Sequence, residues 1–327
     1  MKILGIETSC DETAVAVVED GVKILSNVVA SSLPLHAKTG GIIPETAARE
    51  QLRLMIPTVE KALLESKLKP QDLDAIAVTQ GPGLLGSLLI GVETAKTLSF
   101  VWNKPLVPIN HLVGHVYANW LENPSPPKFP NLTLIVSGGH SELVIAGNHG
   151  DFEWLGGTRD DAAGEAFDKT ARVLGLTYPG GPAIQKAAAS HKHIDNSLPR
   201  PLHDSGDFDF SFSGLKTAVV NKASNKRFSD QETADFAASI QEAIVDSLLN
   251  KTLKAAKKYN VKELLLAGGV AANARLTEKA RESFSGKVHV APPKLCVDNG
   301  AMIAAAAFFN YKPVPWQDVQ ADSGLFF

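Results

Sequence analysis

The feature that most constrains the fold is an order of predicted elements that occurs twice along the chain. The first occurrence is an apolar strand at 3–6, a polar loop, a β-branched strand at 13–18 and a third strand after the Asp20-Gly21 turn. The order returns at 132–155 as strand, small-residue loop, strand, glycine turn and strand. Helices and strands alternate after the first copy. The repetition predicts a duplicated α/β architecture.

Size and composition narrow the class of protein. A chain of 327 residues predicts two domains or one large α/β unit. Its 32 Lys and Arg residues against 35 Asp and Glu exclude a globally basic nucleic-acid coat and an acidic tail protein, although a local basic patch stays open. Two cysteines indicate a reducing compartment. An early charge and the lack of an 18-residue apolar run argue against a signal peptide and a membrane span, so we expect a cytoplasmic protein.

Proline and polarity suggest where the chain divides. Four prolines fall within 123–130, which is typical of a linker. We expect a first lobe formed by 1–110 and 298–327, and a second lobe formed by 111–297 with a helical and irregular insertion at about 158–227. Within that insertion, the alternating aromatic residues at 207–216 favour a strand.

Two histidines four residues apart suggest a metal site. On a helix, His111 and His115 lie on one face, where both imidazoles can reach one ion. Zinc peptidases share this spacing but need a Glu after the first His, and Leu112 stands there. The third ligand would come from far along the chain, either Asp298 or Cys296.

Glycine-rich turns after predicted strands suggest nucleotide binding. Backbone N–H groups in such turns can approach a phosphate. None of them is a Walker loop or a dinucleotide fingerprint. Asp168, expected at a helix start, would accept a ribose or substrate hydroxyl, and Lys216 is a weaker candidate for a phosphate contact. The four turns lie at 80–83, 137–140, 178–182 and 268–273.

Five segments together resemble a known family. They are 6–13 (Ile-Glu-Thr-Ser-Cys-Asp-Glu-Thr), 110–115 (Asn-His-Leu-Val-Gly-His), 136–140 (Val-Ser-Gly-Gly-His), 268–273 (Gly-Gly-Val-Ala-Ala-Asn) and 298–302 (Asp-Asn-Gly-Ala-Met). In this order they resemble the bacterial TsaD family, the tRNA threonylcarbamoyladenosine transferases once called O-sialoglycoprotein endopeptidases. The resemblance runs from about residue 2 to 306. It implies an α/β, duplicated actin-like ATPase (ASKHA) fold with two lobes and a nucleotide cleft between them.

The resemblance also implies site residues. His111, His115 and Asp298 would hold one divalent metal ion, iron or zinc. Archaeal relatives have a Tyr ligand where Ile135 stands, so water or substrate would complete the shell here. Asp11 and Glu12 are candidate acid–base or water-ordering groups. Some relatives have Asp at the position of Gln185. The residues implied for binding the adenylate, an ATP- or AMP-type nucleotide, are Ile135, Val136, Ser137, Gly138, Gly139, Asp168, Gly181, Gln185 and Asn273.

The implied reaction moves a threonylcarbamoyl group from threonylcarbamoyl-AMP to the exocyclic amine of the adenosine 3′ to the anticodon. The acceptors would be tRNAs reading codons that begin with A. Expected partners are tRNA, a small dimerising paralogue of the TsaB type, a P-loop ATPase of the TsaE type and a separate synthase that supplies the adenylate. For the tRNA phosphates we expect a contribution from 186–227, which carries seven Lys and Arg residues against four Asp.

Three other functions remain as alternatives. A metalloendopeptidase is the historical label of the family, and Leu112 argues against it. A sugar or acetate kinase on the same fold would leave the histidine pair without a role. A non-catalytic scaffold of this fold would have no need for both histidines and Asp298.

Overall fold

The computed structural model describes residues 1–32, 35–36, 41–224 and 226–327. The chain forms two compact units, one of residues 1–127 and 294–327 and the other of residues 128–293. The first boundary falls inside the proline-rich segment rather than near residue 110, because the helix that begins at His111 packs on the last helix of the first unit. Among the described residues, no helix has both the length and the apolar character needed to cross a bilayer.

The first unit contains a five-stranded mixed sheet. Its strands are β1 (Lys2–Glu7), β2 (Glu12–Glu19), β3 (Lys23–Ser31), β4 (Ala75–Gly81) and β5 (Leu106–Asn110). The order in the sheet is β3-β2-β1-β4-β5, with β1, β2 and β3 antiparallel and β1, β4 and β5 parallel. Because β1 and β2 are almost wholly buried, they form near-continuous apolar runs instead of an alternating pattern.

Among the described residues of this unit, helices of seven or more residues pack around the sheet. They are α1 (Pro44–Ser66), α2 (Leu85–Trp102), α3 (His111–Tyr117) and, after the chain has passed through the second unit, the Ala-rich helix at Gly300–Phe309. A hydrophobic core of this unit lies where the sheet packs against α1 and α2. The Gly300–Phe309 helix packs on β1, β2 and α3. Gly5 allows this close approach, since a Cβ there would lie 2.3 Å from the Gly300 carbonyl oxygen.

The second unit repeats this sheet. Its strands are β6 (Asn131–Val136), β7 (Ser141–Asn148), β8 (Asp151–Gly157), β9 (Glu263–Ala267) and β10 (Lys287–Val290). The order β8-β7-β6-β9-β10 matches the first sheet strand for strand, with an antiparallel meander and then two parallel strands. The predicted duplication is therefore confirmed.

The helices of the second unit are α4 (Ala163–Val173), α5 (Gly180–Ala188), α6 (Ser213–Ala223), α7 (Asp230–Lys258) and α8 (Ala274–Ser283). The short helix α9 (Pro293–Cys296) lies at the second boundary, and the Gly300–Phe309 helix is α10. The 29-residue α7 is buried along much of its length, and α5 and α8 pack against it.

The strand predicted from the aromatic residues at 207–216 was wrong. Phe210 forms a single bridge with Thr158, and α6 begins three residues later. Asp160 explains the helix, because its carboxylate accepts hydrogen bonds from the backbone N–H groups of Phe212 and Ser213 and from the hydroxyls of Ser211 and Ser213. These bonds satisfy N–H groups at the helix start.

Candidate metal centre and nucleotide-binding loop

The histidine pair lies at the start of α3 in the first unit. Asn110 caps this helix, since its side-chain oxygen accepts from the Leu112 backbone N–H at 2.8 Å. His111 and His115 are thus one turn apart on one face. Their ring centroids are 4.6 Å apart, and both side chains are buried.

Asp298 reaches the pair because the chain returns to this unit. It lies directly before α10, whose N-cap is Asn299. Its Oδ1 atom is 3.2 Å from His115 Nε2 and 3.7 Å from His111 Nε2. One ligand atom from each of the three side chains lies within 4.8 Å of the others. The structure therefore brings together the three residues expected to ligate a metal ion.

The alternative ligand, Cys296, is not in this group of three. It lies on α9, where burial raises the pKa of its thiol to about 11. A thiol with that pKa is a poor source of thiolate. Geometry thus favours Asp298 over Cys296.

Glu7 is a functional candidate that the sequence analysis missed. Its carboxylate is fully buried at the end of β1, where Oε2 lies 2.9 Å from His111 Nδ1 and accepts a 2.6 Å hydrogen bond from the Thr79 hydroxyl. The other oxygen accepts from the Ser9 backbone N–H. A neutral His111 that donates its Nδ1 proton to this carboxylate would present Nε2 as the ligating atom. A carboxyl directly after the apolar run at 3–6 was the available sequence signal.

The donor set suits a bound cation. His115 is fully buried; its Nε2 has the Asp298 oxygen at 3.2 Å without hydrogen-bond geometry, and its Nδ1 makes no hydrogen bond within the described part of the chain. Such unsatisfied buried nitrogens are costly unless a ligand such as a metal pairs with them. Burial lowers the pKa of His111, but the charges of Glu7 and Asp298 outweigh it and raise that pKa to about 9. Two imidazoles and a carboxylate match the ligand preferences of iron and zinc.

The carboxyls of Asp11 and Glu12 in the first unit are both affected by the negative charge of Asp298. Burial, helped by the charge of Asp298, raises the pKa of Asp11. Glu12 is the first residue of β2 rather than a loop residue, and its Oε1 accepts a 2.8 Å bond from the Ser31 hydroxyl. Burial and the charges of Asp11 and Asp298 outweigh this bond and raise the pKa of Glu12 to about 7.

The four glycine-rich turns differ in how much space they leave. A Cβ at Gly81 would lie 1.8 Å from a backbone oxygen, and one at Gly268, whose φ is +86°, would lie 2.4 Å from the Val136 oxygen. In contrast, Gly138, Gly139 and Gly181 have nothing within 4 Å of a Cβ. Only a turn with open space beside its backbone can receive a ligand there. The loop after β6 and the start of α5 therefore have the most open backbone, and the turn at 268–273 remains a candidate through the side chain of Asn273.

Hydrogen bonds from backbone N–H groups connect the candidate residues of the second unit. The Gly164 N–H of α4 donates to the Ser137 oxygen at 3.1 Å, and the Gly180 N–H of α5 donates to Asp168 Oδ1 at 2.6 Å. The side chain of Gln185 on α5 accepts from the Ala274 N–H at 2.8 Å, next to Asn273. Hydrogen bonds thus link several of the implied adenylate-binding residues. Ile135 and Val136 lie at the buried end of β6, directly before the loop.

Two details differ from the sequence predictions. Asp168 lies in the middle of α4 and not at its start, because the helix already begins at Ala163, whose N–H donates to Ser141 Oγ. Burial raises the pKa of Asp168. Lys216 forms an ion pair with Asp161 at 2.6 Å, and Lys169 shares that carboxylate. The ammonium group of Lys216 is therefore paired within the protein.

Comparison with known proteins decides the family. The TsaD family profile, described as tRNA N6-adenosine threonylcarbamoyltransferase, matches residues 23–305. The chain belongs to the TsaD family. A relative of that description from Thermomicrobium roseum is 51% identical over 336 residues, covering 94% of this chain and 92% of the relative. Another from Staphylococcus saprophyticus is 49% identical, covering 95% and 91%.

Solved structures agree on the fold. HypF from T. kodakarensis superposes with a TM-score of 0.60 at 15% identity, covering 94% of this chain and 47% of that one. The activator of 2-hydroxyisocaproyl-CoA dehydratase from Clostridium difficile gives 0.57 at 14% identity, covering 95% of each chain. These likenesses confirm the actin-like ATPase fold. Membership of the TsaD family makes the chain a tRNA-modifying acyltransferase, and no comparison favours a peptidase or a kinase.

Proposed function

We propose that this chain transfers the threonylcarbamoyl group of threonylcarbamoyl-AMP to the N6 amine of the adenosine 3′ to the anticodon, in tRNAs reading codons that begin with A. The observation that carries the proposal is the convergence of His111, His115 and Asp298 within 4.8 Å in a TsaD-family chain. An ion held by two imidazoles and a carboxylate can act as a Lewis acid in acyl transfer, whereas the Mg²⁺ ions of phosphoryl transfer are held by oxygen ligands.

The first unit would hold one divalent ion, iron or zinc, through His111, His115 and Asp298. When bound, such an ion supplies Lewis acidity toward an oxygen of the donor. Glu7 keeps the Nε2 atom of His111 free for ligation through its contact with Nδ1. Asp298 adds the negative charge that offsets the cation. Asp11 and Glu12 would order water or move a proton.

The second unit would hold the adenylate. The loop at Ser137, Gly138 and Gly139 offers the backbone N–H groups of its two glycines to the phosphate, while the Ser137 N–H donates to the His140 oxygen at 2.9 Å. Asp168 keeps one carboxylate oxygen beyond its bond to Gly180, which can accept a ligand hydroxyl. Gly181, Gln185 and Asn273 complete the set. The N6 amine is a weak nucleophile, so positioning of the two substrates would supply much of the rate.

The chemistry of the acyl donor bears on which other proteins would act with this chain. A mixed anhydride of AMP is short-lived in water, so a separate synthase would supply it. We also propose a small paralogue of the TsaB type and a P-loop ATPase of the TsaE type as partners, with the basic segment at 186–227 contributing to tRNA phosphate binding. Within that segment Lys222 pairs with Asp195 at 2.6 Å, so tRNA would compete with this ion pair.

Asp298→Asn tests the proposal. The variant keeps the shape and one acceptor oxygen but loses the negative charge. We expect elemental analysis to show loss of bound metal, and a threonylcarbamoyl transfer assay with tRNA to show a parallel loss of activity. Cys296→Ser serves as the matched control and should retain both. Full metal occupancy with full activity in Asp298→Asn would overturn the three-ligand site and make Cys296 the ligand to test next.

A further inference from the structure

The side chain of Asn273 is held in one orientation by two contacts. Asn273 is the N-cap of α8, and its Oδ1 atom accepts from the Leu276 backbone N–H at 3.0 Å. Its Nδ2 atom donates to Oε1 of Gln241 on α7, also at 3.0 Å. A flipped amide would set its NH2 group against the Leu276 N–H, two donors facing each other. The cap and Gln241 thus select the same orientation.

This orientation decides what the site can offer to a ligand. The acceptor of Asn273 is used by the helix cap, and the acceptor of Gln185 is used by the Ala274 N–H. Each of these oxygens keeps a second lone pair, but the amide hydrogens that make no bond among the described residues are the second hydrogen on Asn273 Nδ2 and those of Gln185. Asn273 and Gln241 are each 8% exposed, so these polar groups are desolvated and a missing partner is costly.

We infer that Gln241 is a positioning residue that makes this part of the adenylate site present a hydrogen-bond donor, specific for a ring nitrogen or ribose oxygen that accepts a hydrogen bond. The inference rests on the proposed function, in which Asn273 contacts the adenylate. Gln241 acts by orienting the amide of Asn273. Its contribution to affinity therefore depends on whether the ligand has an acceptor atom for the Asn273 N–H. A site built to donate rejects an analogue that lacks the acceptor, because its own polar groups are then left unpaired.

The neighbouring residue provides a matched control. Glu242 docks the same helix α8 onto α7 through ion pairs with Arg275, at 2.8 Å, and Lys279. It is as buried as Gln241 but makes no contact with the Asn273 amide among the described residues. Glu242→Gln weakens the docking of α8 without changing the donor and acceptor pattern at Asn273. It separates a general structural effect from control of the amide.

The experiment measures AMP binding to the full chain by calorimetry, together with melting temperature. Gln241→Met keeps the side-chain length but removes the acceptor, and we expect AMP affinity to fall about tenfold, with a fall in melting temperature no larger than that of Glu242→Gln. Gln241→Glu restores an acceptor oxygen and should recover most of the affinity. Glu242→Gln should melt at a lower temperature and bind AMP within about twofold of the wild type.

Analogues test specificity. We compare AMP with 2′-deoxy-AMP, 3′-deoxy-AMP and the 1-, 3- and 7-deaza forms, each of which lacks one acceptor. The penalty of Gln241→Met should vanish for the analogue that lacks the atom contacted by Asn273. An equal penalty for every analogue would overturn the inference and leave Gln241 as packing. An equal loss of AMP affinity in Glu242→Gln would overturn it as well.

Asn273→Asp separates this inference from the proposed function. The variant keeps the cap acceptor but removes the donors. If it binds AMP as the wild type does, Asn273 makes no ligand contact and the proposed adenylate site is wrong. If it loses AMP while Gln241→Met binds normally, the adenylate site stands and only the role of Gln241 is rejected.

Discussion

The two candidate sites are built by opposite means. The metal centre of the first unit consists of buried side chains, with His115 fully enclosed and Glu7 and Asp298 placed around the pair. The loop after β6 in the second unit is exposed. Its useful groups are the backbone N–H groups of two glycines, and a Cβ at either glycine would have nothing within 4 Å. A site of buried side chains depends on every group present. A site of exposed backbone depends on side chains being absent.

The difference predicts how each site fails. Removing one side chain from the metal centre deletes a ligand that nothing nearby replaces. Adding one side chain to the loop blocks access while leaving the fold intact, since the loop has free space around it. Loss of function should therefore follow deletion in the first unit and addition in the second.

The largest effect is expected for His115→Ala. This change removes one of three protein ligands, so metal content and threonylcarbamoyl transfer should fall together, with transfer reduced on the order of a thousandfold. Metal analysis of the purified variant and a tRNA transfer assay provide the measurement. His203→Ala, which changes an exposed histidine of the second unit, should leave both values unchanged. Retained metal in His115→Ala would show that His111 and Asp298 are sufficient.

Gly139→Val should have the next largest effect. A valine fits the space at this position, so we expect a normal melting temperature with a loss of AMP affinity of about a hundredfold, because the side chain covers N–H groups meant for phosphate. Calorimetry with AMP measures the effect. Gly164→Val is the contrasting variant: its Cβ would lie 2.5 Å from the Ser137 oxygen, so it should lower the melting temperature. Wild-type AMP affinity in Gly139→Val would make the loop purely structural.

Sequence patterns were sufficient to predict the two sheets and the histidine pair. The duplicated order of strands predicted the two matching sheets, because strand periodicity and turn residues are local signals. The spacing of His111 and His115 predicted one helix face for the same reason. The ligand from residue 298 came from the family resemblance, and the structure brings it to the pair because α10 packs on α3.

The remaining features depend on tertiary contacts. Glu7 reads as part of a strand, and only the parallel pairing that aligns β1 with β4 puts its carboxylate beside Thr79 and His111. The residues at 207–216 alternate as a strand would, yet Asp160, about fifty positions earlier, turns them into a helix start. Asp168 was placed wrongly because α4 already begins after Ala162, and its first N–H group donates to Ser141, which is distant in sequence.

Glu7→Gln sharpens the comparison by changing the metal centre without removing a ligand. The variant keeps the shape of the side chain but weakens the contact that orients His111, so metal affinity should fall about tenfold to a hundredfold. Competition with a chelator measures it. Thr79→Val loses the other hydrogen bond to the same oxygen and should have a smaller effect. Unchanged affinity in Glu7→Gln would mean that packing alone orients the ring.

The smallest effect concerns the second unit and is one of stability. Burial opposes the charge of Glu242, but hydrogen bonds and the charges of Arg275 and Lys279 outweigh it and lower its pKa from 4.5 to about 2. A carboxyl whose pKa is lowered on folding stabilises the native state above pH 4.5 and loses that contribution as the pH falls toward 2. Glu242→Gln should therefore reduce the free energy of unfolding by about 1–3 kcal/mol at pH 7.

Denaturant unfolding of both proteins at pH 7, 4.5 and 3 checks this prediction. The gap between wild type and Glu242→Gln should narrow between pH 4.5 and 3, because the wild-type carboxyl takes up a proton in the unfolded state while it stays charged in the native state. A gap that stays constant would show that the ion pairs with Arg275 and Lys279 contribute nothing to folding. In either case the exposed loop at Gly138 and Gly139 should keep its AMP affinity at pH 7, since its donors belong to the backbone and carry no titrating group.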